Sequence, residues 1–259
     1  GIPNFHIFGE VYKDVPQNGY IAEYTRRDGL PAVLDFAFQA AMRELIGRDA
    51  GTVVLAQMFD GDVLYEGGEA AALALPTFLG NHDMGRFSTL IRQDRPGIGS
   101  DELLARVMLG HAMMLGLRGS PVIYYGDEQG FVGDGNDQLA REDMLASRVA
   151  AYNDNDLIGT TATTAQANFD TGHPLYRLIA EFSALRRAHP ALMRGRQVVR
   201  HYEQGAGLFA ASRFDPASGR EYLLVYNTAA TARSGNIALG YGATTLETLA
   251  GSCPAQVTA

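Results

Sequence analysis

The chain has 259 residues, 46% of them hydrophobic and 19% charged, with 12 Tyr and 12 Phe. That is enough apolar material for a sizeable core and excludes wholesale disorder. The net charge is −8 and the basic residues are scattered, which argues against a nucleic-acid-binding face, and no apolar run approaches the ~20 residues of a membrane span. A single cysteine, Cys253, excludes an internal disulfide framework and a cysteine-based zinc site.

In chain order, short apolar runs bounded by Gly, Pro or Asn alternate with longer helical patterns. The strand-like runs are Asn4–Gly9, Ala32–Asp35, Pro76–Gly80 and Pro121–Tyr125. Asp35–Ile46 carries Phe36, Phe38, Ala41, Met42 and Leu45 at helical spacing, Thr52–Tyr65 is a weaker helix, and Asp101–Leu117 opens at Ser100 with two acids in its first turn. Strand followed by helix, repeated, predicts βα units around a parallel sheet. The pattern changes after Ala140. Thr160–Ala167 reads as a loop, Leu175–Ala188 as a helix stopped by Pro190, and Val198-Val199, Leu208–Ser212, Tyr222–Tyr226 and Ile237–Leu239 as strands of an antiparallel sandwich. The fold class is therefore α/β, with a boundary near residue 193 between an α/β part, residues 1–193, and an all-β part, residues 194–259. The sequence opens inside a strand-like run with no leader pattern and closes on small polar residues, so it reads as a piece of something longer.

Three segments put polar residues directly after an apolar run: Gly9-Glu10-Val11-Tyr12, Asn81-His82-Asp83, and Gly126-Asp127-Glu128. In a β/α barrel such strand exits carry the chemistry. Position alone leaves Glu10 readable as a solvated carboxylate, His82 as a structural histidine, and Asp127-Glu128 as a solvated loop. His6 and His111 read as packing residues.

These segments, in this order, resemble glycoside hydrolase family 13, the α-amylase family. Gly-Glu-Val-Tyr resembles the fifth barrel strand, Leu30–Phe36 the sixth, Asn81-His82-Asp83 the seventh-strand motif, and Pro121–Gly130 the eighth strand and its loop. Asp137–Met144, with Arg141-Glu142-Asp143, and the Leu175–Pro190 helix resemble the end of that barrel. The resemblance implies the C-terminal half of a (β/α)8 TIM barrel and part of a C-terminal β-sandwich. It makes Glu10 and Asp83 catalytic, as general acid/base and transition-state stabiliser. It makes His82, Asn81, Tyr12 and Arg86 substrate-binding; by position alone Arg86 either pairs with a carboxylate near the site or only anchors the loop. The substrate class implied is an α-glucan, with transfer or isomerisation within the family, or a non-catalytic sugar-binding role, as alternatives. No metal ligand or cofactor is implied in this chain; calcium belongs to the missing N-terminal half, which is the implied partner. Nucleic acid and membrane are not. Extracellular or periplasmic placement follows from the resemblance alone. The family's nucleophilic Asp lies upstream of residue 1, so the chain holds two of three catalytic carboxylates. Four strands make half of the eight a barrel requires, which predicts an open inner face with Phe8 and Phe78 exposed.

Overall fold

The computed structural model describes residues 5–12, 18–240 and 245–251. Four chain segments run parallel and side by side. Gly9 bridges Val33, with Gly9 N donating to Ala32 O and Leu34 N to Gly9 O, both at 2.9 Å. Asp35 N donates to Pro76 O at 3.0 Å, and β1 (Pro76–Thr77) pairs with β2 (Ser120–Pro121). The regular pairing is much shorter than the apolar runs: residues 5–8 and 122–125 form no strand, and Asn4 lies outside the described residues. Each outer segment has a neighbour on one side only among the described residues, so half of its backbone groups have no ladder to join.

Helices follow the strands, as βα units require. Gly9 leads to α1 (Asn18–Arg27), and Val33 to α2 (Phe36–Arg48), which Asp35 caps by accepting from Phe38 N at 3.0 Å. The Thr52–Tyr65 pattern becomes α3 (Val53–Asp60) and a tighter 3₁₀ turn, Gly61–Leu64, followed by α4 (Gly68–Ala72). β1 leads to α5 (Phe87–Asp94) and α6 (Ser100–Gly116). A long loop region after β2 contains α7 (Ala150–Asn153) and ends in α8 (Pro174–Ala188) and α9 (Pro190–Arg194). Thr160–Ala167 has no regular structure. The helix α6 packs on α2, α5 and α8, so much of its C-terminal half is buried rather than only one stripe.

From Arg196 the chain turns antiparallel: β3 (Arg196–His201), β4 (Leu208–Phe214) and β5 (Glu221–Asn227) form one sheet with β4 central. The expected strand Ile237–Leu239 is irregular. There Gly240 N donates to the Glu221 carboxylate at 2.7 Å, a side-chain contact in place of a ladder bond. Phe209, Ala211 and Tyr226 of this sheet belong to the same buried cluster as α2, α3 and α6.

The seam between α6 and that sheet is built from buried cations. A helix leaves its last carbonyls unpaired. Here Arg186 donates to Leu115 O at 2.9 Å and Arg213 to Gly116 O at 3.1 Å, while one turn earlier the Tyr226 hydroxyl adds a bond to Ala112 O at 3.3 Å. Arg213 also donates to Gly195 O at 3.1 Å. Any side chain at Gly116 would collide with the Tyr226 hydroxyl. Burial lowers the proton affinity of both guanidiniums, and repulsion from Arg186 lowers that of Arg213 further. Arg118, almost wholly buried, is the third. It pairs bidentately with Asp62 at 2.5 and 2.7 Å and also pairs with Asp35. One guanidinium thus faces two buried carboxylates. Burial pushes Asp62 up to about 6 against the pull of Arg118.

Candidate functional site

Because the four strands are parallel, their C-terminal ends lie at one end of the sheet. Glu10 leaves Gly9 at that end and is exposed. Tyr12, two residues on, is 57% exposed and sets its ring edge against Phe36 at 5.2 Å; Phe36 meets Phe78 at 5.1 Å and 90°. Such edge-to-face pairs match ring edges to the electron-rich faces. This aromatic line ties together the exits of the first three strands. It also corrects the expectation for Phe78, which is buried under Phe36 at 3% exposure, whereas Phe8 is exposed as expected. His6, expected in packing, is exposed beside Phe8, while His111 is buried.

The third exit is a closed turn. Asn81 and Gly85 exchange both backbone hydrogen bonds, at 3.1 and 3.0 Å, and Asn81 Oδ1 accepts from Asp83 N at 2.9 Å and Met84 N at 2.8 Å. Gly85 sits at φ +101°, open to glycine and strained for other residues. Asn81 is thus engaged in shaping the turn, and His82 and Asp83 project from its tip, each with its side chain 51% exposed. Asp83 Oδ1 lies 3.3 Å from His82 Nε2 and accepts from Arg141 Nη2 at 3.2 Å. Arg141 in turn reaches Asp137 at 2.9 Å, and Asp137 N donates to Asp83 O at 3.3 Å. The 137–142 loop therefore lies against the turn.

Arg86 does not reach the surface. Its guanidinium is fully buried, with Nε donating to Glu142 Oε2 at 2.7 Å and Nη1 to Asp127 Oδ1 at 3.0 Å and Tyr125 O at 2.8 Å. Tyr124 and Phe131 stack on it at 4.6 and 5.0 Å. The placement is that of a guanidinium paired with carboxylates beside the site, Glu142 and Asp127, and buried away from any direct sugar contact. Asp127, expected as a solvated loop acid, is buried because Arg86 neutralises it, with His111 Nε2 at 3.7 Å. Burial of a charge without such pairing would cost several kcal/mol, about 3–5 if one partner were removed. Among the described residues no three His, Cys, Asp or Glu side chains are grouped to hold a metal, and no helix is long and apolar enough to cross a membrane.

Sequence reasoning placed Glu10, Tyr12 and the Asn81–Asp83 turn at strand exits, and they are there. It gave Asp137, Arg141 and Glu142 no role at the site. The i,i+4 spacing of Asp137 and Arg141, an opposite-charge pair, was the available signal.

The sequence and the fold are matched by known proteins. The chain is 44% identical over 252 residues to an α-amylase of Streptomyces lividans, covering 97% of this chain and 27% of that protein, so it spans about a quarter of that relative's length. The cyclomaltodextrin glucanotransferase CldA superposes with a TM-score of 0.63 at 25% identity, over 87% of this chain and 39% of that one. An α-amylase from Geobacillus thermoleovorans, solved with acarbose, superposes with a TM-score of 0.64 at 22% identity, over 87% and 42%. The first four parallel strands and their helices thus correspond to part of the TIM barrel of these enzymes. With the model of the α-amylase catalytic domain matching residues 2–204, which takes in every strand exit described above, the chain belongs to the α-amylase family.

Proposed function

We propose that this chain serves an α-amylase-type glycosidase acting on α-glucans by a retaining mechanism. The observation that carries the reading is that Glu10 and the His82-Asp83 tip leave the same end of one parallel sheet. Glu10 is the general acid/base: it protonates the glycosidic oxygen as the bond breaks, then takes a proton from the incoming water. Asp83 holds sugar hydroxyls as the ring distorts towards the oxocarbenium-like transition state, with His82 fixing that ring. Asn81 contributes by shaping the turn, and the exposed Tyr12 offers a ring face to a neighbouring sugar. Retention requires two carboxyl groups ~5–5.5 Å apart. Asp83 is not the nucleophile in this reading, which places that group outside the chain, along with the rest of the barrel and any calcium. The all-β part, residues 194–259, is the start of the family's C-terminal β-sandwich in this reading, with β3–β5 as one layer packed on the same core as α2, α3 and α6.

The test is Glu10→Gln in the complete enzyme. Turnover of maltooligosaccharides falls about a thousandfold, the weight of a lost acid/base, while substrate still binds. Wild-type turnover would place the acid/base elsewhere. The chain alone, lacking a nucleophile, hydrolyses no soluble starch. The likeness to CldA supports glucan transfer as a second reading, and product analysis of the same reaction separates the two.

A further inference from the structure

Besides the backbone bond from Asp137 N to Asp83 O, the 81–86 turn and the 137–142 loop are joined by two ion pairs of opposite sense. At the surface Arg141 Nη2 donates to Asp83 Oδ1 at 3.2 Å; beneath it Arg86 Nε donates to Glu142 Oε2 at 2.7 Å. Arg86 directly follows the Asn81–Gly85 bridge, and Glu142 directly follows Arg141. The two pairs differ sharply in environment. The Asp83 and Arg141 side chains are 51% and 43% exposed, and those of Arg86 and Glu142 are 0% and 1% exposed. The Asp83–Arg141 pair and that of Arg141 with Asp137 at 2.9 Å, also exposed, are each worth only ~0–1 kcal/mol, too little to hold a long arginine in one place. The buried pair is different. The guanidinium is fixed by Glu142, Asp127 and Tyr125 O, and its flat face by Tyr124 and Phe131.

We propose that the buried Arg86–Glu142 pair positions Arg141 on Asp83, and so holds the Asp83 carboxylate in one orientation at the strand exit. Arg86 and Glu142 are positioning residues that act through Arg141 and touch no sugar. The inference rests on the reading of Asp83 as a catalytic carboxylate, and it converts loop anchoring into a contribution to rate, since misplacement of a catalytic group lowers turnover steeply.

A double-mutant cycle in the complete enzyme tests it, with kcat and KM on a maltooligosaccharide measured per folded molecule. Glu142→Gln keeps the shape and removes the charge; kcat falls about tenfold with KM changed less. In the Arg141→Met background the same substitution has no further effect on kcat, because its route to Asp83 is already gone. Arg86→Lys, which keeps charge without the fork, loses less than Glu142→Gln. A purely structural role would lower the folded fraction and leave kcat per folded molecule alone. Equal loss in both backgrounds, or unchanged kcat in Glu142→Gln, overturns the proposal. If Glu142→Gln does not fold, the cycle of Arg86→Lys with Arg141→Met is read by the same criteria. Asp83→Asn keeps the two questions apart. If it is inactive, an additive cycle defeats the positioning role alone; if it turns over normally, the reading of Asp83 fails and the positioning role with it.

Discussion

The margins of the parallel sheet and the seam at the end of α6 are both places where backbone groups run out of regular partners, and they are finished in opposite ways. At the seam, carbonyls of α6 are met by Arg186, Arg213 and Tyr226, and Arg118 is met by Asp35 and Asp62. At the margins, the segment around Gly9 carries exposed Phe5, Ile7, Phe8 and Tyr12, and the segment after β2 carries exposed Val122 and Tyr125. Unpaired strand edges bordered by apolar side chains invite pairing with another chain. The seam is self-sufficient and the margins are not.

The sharpest way to break the seam is Arg118→Met, which strands two carboxylates in the interior. Loss of one partner from a buried ion cluster costs ~3–5 kcal/mol, so the urea midpoint of the chain drops markedly, and a loss under about 1 kcal/mol would mean that water reaches the cluster. A gentler probe is pH. Asp62, pushed up to about 6 by burial from an ordinary value of 3.8, keeps its proton in the folded chain over a range where the unfolded chain has lost it. The stability this provides is full below pH 4 and is lost as pH rises towards 6, by roughly 1 kcal/mol per pH unit at the steepest. Denaturation series at pH 4, 5, 6 and 7 on wild type and Asp62→Asn isolate that slope, which vanishes in the variant; identical slopes would assign the titration elsewhere. The smallest effect on stability belongs to the margins. Phe8→Ser changes the unfolding free energy by less than ~0.5 kcal/mol yet lowers the mass of the chain's assemblies in light scattering. A monodisperse monomer in both forms would show that these apolar groups need no cover.

The contrast also explains what was legible in the sequence. Helices α2, α6 and α8 were readable because an apolar stripe at 3.6-residue spacing needs only local information. The strand runs were over-read: an apolar run such as Pro121–Tyr125 signals burial in a complete barrel, but pairing depends on a neighbour on each side. Glu10 and Asp83 were legible because a polar residue directly after an apolar strand is a local signal. The burial of Arg86 was not, since its partners Asp127 and Glu142 lie 41 and 56 positions further along. Nothing near Arg86 in the sequence distinguishes a guanidinium aimed at solvent from one enclosed by aromatic rings. The helices α1 and α5 were missed for the opposite reason: they are short, and tertiary packing rather than a long periodic pattern holds them.

The capping of α6 has a consequence for the order in which the molecule can be made. The carbonyl of Gly116 waits for a guanidinium 97 residues later in the chain. At a ribosomal pace of ~5–20 residues per second, that interval is roughly 5 to 20 s, during which α6 must end against water or another chain. This cap of α6 therefore comes from chain made well after the helix itself, and a nascent chain stalled before residue 213 carries a helix end without it.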